Sequence, residues 1–360
     1  MSRTPMFRLP LLRVGLVCLL LMIMPSILFA GDTDRGELVD GVVAVIGSKV
    51  VSRTDLANAM AYQATLLAAK KQAGLSEEDA EKEFARLQLE VRDNLVDNTL
   101  ILLAAEEGGM SVSDHVEKQI SKVKEAFAEN PEQLQQFLAS RGYRSIEDYK
   151  KGLREELLRQ RIVMMKVRPR SEVTLEEVQE EFEKRYQGKP AAAEGCDGAL
   201  VPVYYLEQMF FPLPKEVSIN GLIDTYVRAY KCYLGLKAGK FAPPDVPTAC
   251  ADGGAAPGYG AIGDVDETKS FEKSFQDAFD GLASNTKEEL SEPFIGKDGV
   301  RILRIATRRK ECYTDKSEIT RLVTRLKGKL EDRKFEKAMQ FWLKELRGRY
   351  RVDVKPLDSN

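Results

Sequence analysis

Residues 330–354 read LEDRKFEKAMQFWLKELRGRYRVDV, and their apolar spacing dictates how the end of the chain must pack. They continue a longer run in which apolar residues recur every three or four positions, as in an amphipathic helix. That run comprises Ile319, Leu322, Val323, Leu326, Leu330, Phe335, Met339, Trp342, Leu343 and Leu346. The pattern predicts one helix from about Asp315 to Arg347, and the alternation over Tyr350–Val354 predicts a strand after it. Such a stripe is unstable alone in water, so this C-terminal helix needs a partner elsewhere in the chain.

The first half of the chain offers that partner, because helical patterns dominate it. Gly41–Val51 (GVVAVIGSKVV) is β-branched around a Gly-Ser turn and predicts a two-stranded hairpin. Hydroxyl residues close to acidic ones then mark five helix starts: Ser52, Ser76, Ser113, Ser145 and Thr174, the last in a capping box with Glu177. The sequence therefore predicts a mostly α body, formed by N-terminal helices and the returning C-terminal helix.

Some apolar residues exceed what a single core stripe needs. They are Tyr62, Leu66, Leu67, Met164 and Met165. Core packing is the ordinary role of such residues, but flexible methionine and aromatic surface also suits promiscuous binding of apolar peptide. The alternative hypothesis is therefore a peptide-binding surface on the helical body.

Between the two helical parts the pattern changes to that of an α+β domain. Residues 188–202 are small and rich in Gly and Pro and predict a linker. Strands are predicted at Val203–Phe211 and Val300–Ala306, helices at Leu222–Leu236 and Phe271–Phe279, and a Gly/Pro-rich loop at Pro243–Gly263. The sequence therefore predicts an α+β domain inserted into the helical body.

The N-terminus indicates export. Arg3, Arg8 and Arg13 precede an uncharged apolar run over Val14–Ala30, the pattern of a secretory signal peptide covering residues 1–30. An uncleaved membrane anchor is the alternative, although the run is short for a bilayer span. Removal of three arginines from 54 basic residues leaves 51 against 56 acidic ones, and this net negative charge disfavours nucleic-acid binding.

Four cysteines remain after residue 30: Cys196, Cys232, Cys250 and Cys312. An even number in an exported chain predicts disulfides, with three possible pairings. The alternative is a zinc site, but no two of them form a C-x-x-C pair and the single histidine, His115, is distant. We expect no metal and no cofactor.

Nearly the whole chain after residue 30 resembles the SurA-type periplasmic chaperones and their parvulin-type peptidyl-prolyl isomerase relatives. DGVVAVIGSKVVSRTDL (40–56), RGYRSIEDYKKGLREELLRQRIV (141–163) and the C-terminal stretch above resemble that family's helical chaperone domain. QMFFPLP (208–214), GYGAIGDVDETKSFEKSFQDAF (258–279) and GKDGVRILRI (296–305) resemble a parvulin domain in order and spacing. The resemblance implies a chaperone domain over 31–187, a linker over 188–202, a parvulin-like domain over 203–312, and a C-terminal segment, 313–360, that packs on the chaperone domain.

The resemblance also implies that the parvulin-like domain has lost its catalytic residues. Parvulins carry a histidine on the first and the last strand of the domain, and Gln208 and Arg301 stand at the matching positions. Neither side chain reproduces a neutral imidazole, and Arg301 only donates hydrogen bonds. Phe271 and Phe275 match apolar groove residues of the family. A non-enzymatic domain is expected, with an active isomerase as the alternative.

In the parvulin fold the first and last strands are antiparallel neighbours, which implies the disulfides Cys196–Cys312 and Cys232–Cys250. The function implied is that of an ATP-independent periplasmic holdase for unfolded exported proteins, among them outer-membrane β-barrel precursors. The machinery that assembles these precursors is a further implied partner. A membrane-anchored foldase is the third alternative. The protein is expected to be a monomer or a weak dimer.

Overall fold

The computed structural model describes residues 41–357 except 129, 189, 190, 193, 217 and 253. The N-terminal half is helical, after a hairpin of β1 (Val42–Ile46) and β2 (Lys49–Ser52). The helices are α1 (Arg53–Ala73), α2 (Glu77–Glu107), α3 (Ser113–Ala126), α4 (Pro131–Ser140), α5 (Ile146–Lys166) and α6 (Leu175–Tyr186), with a 3-10 segment at Arg168–Ser171. The predicted mostly α fold with an α+β part is confirmed. The predicted signal peptide lies outside the described residues.

The helix caps follow the sequence signals at four of the five predicted starts. The hydroxyls of Ser52, Ser76, Ser145 and Thr174 each accept a hydrogen bond from a backbone N–H in the first turn of the following helix. The fifth prediction is wrong in detail, because α3 begins at Ser113 itself and its cap residue, Val112, makes no side-chain cap bond. The neighbouring serine, Ser111, instead places its hydroxyl near Ser113.

The C-terminal helix, α9 (Lys316–Arg349), is a single helix of 34 residues followed by the strand β7 (Val352–Val354). Strand β7 pairs with β1, so the first sheet has the order β2-β1-β7. The second half of α9 buries Trp342 and Leu346 in the same core as Leu100 of α2. We call residues 41–171 together with 335–357 the helical body.

The first half of α9 packs elsewhere. Leu322 and Leu326 share a smaller core with Val178 and Phe182 of α6 and with the first residues of the next strand. The structure therefore divides the predicted C-terminal stripe between two cores. Helix α6 lies in this second core and not in the first, although it falls within the predicted range 31–187.

The second sheet forms the middle domain, residues 199–313, with strand order β4-β3-β6-β5. Its strands are β3 (Ala199–Pro212), β4 (Gly258–Val265), β5 (Phe294–Ile295) and β6 (Gly299–Tyr313). Helix α7 (Ile219–Lys237) covers the face that buries Met209 and Ile302, and α8 (Lys273–Ser284) covers the face that buries Leu206 and Leu303. The sheet is thus covered on both faces.

Two sequence predictions for this domain are wrong. Strand β3 begins at Ala199, so the last four residues of the predicted linker 188–202 lie in the sheet and pair with β6. Strand β4 occupies the end of the predicted loop Pro243–Gly263 and pairs with β3. The strand tolerates Gly258, Gly260 and Gly263 because it lies at the edge of the sheet and has one neighbouring strand. None of the helices that the structure describes combines the length and the hydrophobicity that a membrane span requires.

Candidate peptide-binding site

The last turn of α5 carries two of the predicted peptide-binding residues on its surface. Met164 and Met165 are 58% and 55% exposed. Met164 and Met165 lie seven positions, or about two helical turns, after Leu157 and Leu158. They are therefore on the same faces of α5 as these two leucines, which pack into the core of the helical body. At the end of α5 the two methionines therefore leave apolar surface exposed, whereas Ile162 and Val167 on either side of them are buried in the body core.

The 3-10 segment that follows this turn lies beside an exposed aromatic residue that the sequence patterns did not single out. The 3-10 segment after α5 packs against α9, where Phe341 is 59% exposed. The guanidinium carbon of Arg170 lies 5.9 Å from the centre of the Phe341 ring, and Arg170 also pairs with Glu345 at 3.2 Å. Phe341 lies outside the apolar stripe of α9. This position is the one sequence signal that could have identified Phe341 as a surface residue.

The three predicted binding residues of α1 have different surroundings. Tyr62 is 57% exposed, whereas Leu67 is only 6% exposed. Leu66 is half-buried and packs against the core that includes α7 of the middle domain. Packing against neighbouring elements therefore buries Leu67 and covers part of Leu66, so Tyr62 is the one of these three residues with an open surface.

The contact between α1 and α7, which we call the seam, contains a buried lysine. Lys70 is 7% exposed, and its Nζ donates to Glu83 Oε1 at 2.9 Å and to Glu292 Oε2 at 2.8 Å. Burial alone lowers the pKa of Lys70, but the bonds to Glu292 and Glu83 outweigh it and raise this pKa above its ordinary value. The seam thus combines apolar packing with a charge that two acids compensate.

The middle domain has a groove of about 530 Å³ at the positions implied by the resemblance. Gln208, Phe271, Phe275 and Arg301 all line it, so the structure brings these four predicted site residues together. The rings of Phe271 and Phe275 stack with centroids 4.3 Å apart, and Phe275 is largely buried. Phe275 therefore contributes mainly to the wall of the groove, and Phe271 offers more accessible surface.

Arg301 is held firmly at this groove. Its Nη2 donates to Asp298 Oδ1 at 2.7 Å, and its guanidinium carbon lies 4.6 Å from the centre of the Phe210 ring. The hydrogen bond from Arg301 holds the pKa of Asp298 below its usual range, so both groups stay charged. A fixed guanidinium–carboxylate pair can orient polar groups but offers no neutral imidazole at this position.

The four cysteines lie as two pairs. The sulfurs of Cys196 and Cys312 are 1.99 Å apart, and those of Cys232 and Cys250 are 2.09 Å apart. The first pair joins the segment before β3 to the end of β6, and the second joins α7 to the turn after the helical residues Val246–Ala249. These are the pairs implied by the family resemblance.

Comparison with known proteins gives the class of the helical body. Residues 11–163 match the family model of the SurA-like N-terminal domain. The Chaperone SurA of Saccharophagus degradans is 34% identical over 83 residues, which is 23% of this chain and 18% of that protein. Over residues 11–163 the chain is therefore similar to the SurA-like N-terminal domain family, and the predicted resemblance to SurA-type chaperones is confirmed. The match spans less than a fifth of the length of this curated relative.

Solved structures of similar proteins include further chaperones and foldases. A structure from a study of two SurA-like chaperones of Campylobacter jejuni, PEB4 and Cj1289, is 10% identical with a TM-score of 0.34 and covers 88% of this chain and 100% of its own. The foldase protein PrsA from Streptococcus pneumoniae is 14% identical with a TM-score of 0.29 and covers 86% and 93%.

Proposed function

We propose that the protein is an ATP-independent holdase that binds unfolded exported polypeptides in the bacterial periplasm, outer-membrane β-barrel precursors among them. The chaperone domain over residues 31–187 does the binding together with the C-terminal segment 313–360, and the middle domain is a non-catalytic parvulin-like module. The SurA-like N-terminal domain supports the chaperone class. Unfolded β-barrel precursors expose alternating apolar strands that aggregate in transit, so they need such a protein.

The observation that carries this proposal is the exposed methionine pair in the last turn of α5. Solubility favours polar side chains at positions as exposed as those of Met164 and Met165, so it does not explain the two methionines. Phe341 adds an exposed aromatic ring beside the segment that follows α5. Methionine adapts its shape to different apolar partners, which suits a protein that binds many unfolded chains weakly and reversibly. We call Met164, Met165 and Phe341 the α5 patch.

The test is suppression of aggregation of an unfolded β-barrel precursor by the protein lacking residues 1–30. In the double variant Met164→Glu, Met165→Glu, we expect half-suppression to need at least about tenfold more protein, since burial of one such side chain is worth about 1.5–3 kcal/mol. Ile219→Glu is the matched control, because Ile219 is 77% exposed at the start of α7 in the middle domain.

The control variant should suppress aggregation as the unchanged protein does. Equal loss in both variants would show that general surface charge, and not the α5 patch, governs the effect. Failure of the unchanged protein to suppress aggregation at several-fold molar excess rejects the holdase function. Export is tested separately: the protein isolated from the periplasm should lack residues 1–30 by intact mass, whereas an anchored form keeps them.

A further inference from the structure

The middle domain has a second concavity, of about 620 Å³, at the edge of its sheet. It is lined by Tyr233 and Lys237 of α7, by one side of α8, and by the loop over residues 285–294. Phe294 of this concavity contacts Phe275 of the groove described above, with ring centroids 6.0 Å apart. We call the second concavity the edge cleft.

The floor and one wall of the edge cleft suit an extended chain. Leu282, Leu290 and Phe294 give it an apolar lining. Strand β5, which contains Phe294, pairs with β6 on one side, and in the described part of the chain no strand pairs with its other side. A free strand edge next to an apolar depression is the geometry by which sheets add a peptide strand and hold its side chains.

The charges around the edge cleft are mainly negative. Asp277, Glu288 and Glu292 line it together with Lys237; Glu292 is bonded to Lys70 of the seam, so Asp277 and Glu288 are the acids open to a ligand. Lys237 Nζ is 3.8 Å from Glu288, and Asp277 pairs with the exposed Lys273 at 3.2 Å. Exposed ion pairs of this kind contribute little, so a cation from a ligand can replace their lysines at small cost. The cleft therefore favours a positively charged partner.

Gly281 of α8 indicates that the space itself is kept open. Glycine inside a helix is destabilising relative to alanine. Packing does not require it here, because a Cβ atom built at Gly281 meets no other heavy atom within 4 Å. Gly281 lines the edge cleft, so a side chain at this position would occupy the cleft.

We propose that the edge cleft binds an extended polypeptide segment that carries a lysine or arginine next to an apolar side chain. The backbone of the segment pairs with the free edge of β5, the apolar side chain contacts Leu282 and Leu290, and the cation faces Asp277 and Glu288. This goes beyond the proposed holdase function, because it uses the middle domain alone and does not depend on the α5 patch.

The experiment measures binding of two dye-labelled seven-residue peptides to the full protein lacking residues 1–30, by fluorescence anisotropy. Both peptides alternate valine with a charged residue around a central phenylalanine; one carries lysine and the other glutamate. We expect the lysine peptide to bind about tenfold more tightly at low salt, since its cations are attracted to Asp277 and Glu288 and the glutamates of the other peptide are repelled by them. Added salt should reduce this difference.

Gly281→Trp should weaken binding of the lysine peptide by about tenfold or more, because the indole fills the cleft. Gly328→Trp is the matched control: Gly328 lies in α9, and a Cβ atom built there also meets no heavy atom within 4 Å. Thermal unfolding of both variants reports whether they fold. Asp277→Asn with Glu288→Gln should remove the preference for the lysine peptide.

The proposal is overturned if neither peptide binds, if both bind equally, or if Gly281→Trp, folded as stably as the control, binds the lysine peptide as well as the unchanged protein. These results do not bear on the holdase function, because Met164→Glu, Met165→Glu should leave binding of the lysine peptide unchanged. Loss of peptide binding in that double variant would instead place the peptide on the α5 patch.

Discussion

Lys70 and Glu292 are 222 positions apart in the chain, yet Lys70 Nζ lies 2.8 Å from Glu292 Oε2. Lys70 belongs to α1 of the helical body, and Glu292 to the loop before β5 of the middle domain. Around this pair, Ala69 and Ala73 of α1 pack against Tyr226 and Tyr230 of α7. The two parts of the chain are therefore joined by a packed seam with a compensated charge inside it.

Replacement of that lysine should loosen the seam. Lys70→Met keeps the aliphatic stem but removes the charge that compensates Glu83 and Glu292. We expect a loss of about 1–2 kcal/mol in the free energy of unfolding, less than for a fully buried pair because both acids can regain water. Urea unfolding measures it. Lys71→Met is the control, since Lys71 forms an exposed pair with Glu77 and its removal should cost at most about 0.5 kcal/mol.

The two cysteine pairs should stabilise the protein unequally. Cys196 and Cys312 are separated by 116 positions, and Cys232 and Cys250 by 18. In the chain-entropy model the longer loop is worth about 5 kcal/mol and the shorter about 3 kcal/mol, so the double serine variant of the first pair should unfold at lower urea concentration. Peptide mapping without reduction identifies the linked cysteines, and a Cys196–Cys232 link would contradict both assignments.

The middle domain should not catalyse proline isomerisation, whose uncatalysed barrier is about 18–20 kcal/mol. Gln208 cannot act as an imidazole, and Arg301 is bound to Asp298 and Phe210. A proline-containing peptide assay should give the uncatalysed rate. The variant Gln208→His, Arg301→His tests the groove: a rate increase absent from Gln208→Ala, Arg301→Ala would show that the groove keeps a suitable shape. Activity in the unchanged protein would contradict the prediction.

Alkaline pH should weaken the attachment of the C-terminus. Tyr350 Oη donates to Glu107 Oε2 at 2.7 Å, and burial together with this bond raises the pKa of Tyr350 to about 12. In the unfolded chain the phenol titrates near pH 10, so its contribution is fully present below about pH 10 and is lost as pH rises towards 12. Urea midpoints at pH 9 and pH 11 should therefore differ less in Tyr350→Phe than in the unchanged protein.

Sequence patterns predicted the helical body well because its signals are local. Side chains such as Ser52 and Thr174 cap the helix that begins at the next residue, so a short window contains the whole interaction. The stripe of α9 likewise reports its own burial through the spacing of residues such as Trp342 and Leu346. The positions of Gln208 and Arg301 in one groove came from the family resemblance, which encodes strand pairing that no local pattern contains.

The errors concern residues whose surroundings are set by distant parts of the chain. Leu66 has the same helical spacing whether solvent, a client or α7 covers it, so its packing in the seam could not be read from α1 alone. Strand β4 is rich in glycine, and only its pairing with β3 makes it a strand. Lys70 was missed for a similar reason: its partner Glu292 is far away in the sequence.

The pairing of β7 with β1 has a consequence for the order of assembly. Ala44 and Val354 are opposite one another in that sheet, so the first strand gains its second neighbour only after residues 352–354 have been synthesised. Until then the nascent protein exposes the faces of α2 that Trp342 and Leu346 later cover. Closure of this sheet is therefore a late step of folding, and the N-terminal helices cannot complete their core by themselves.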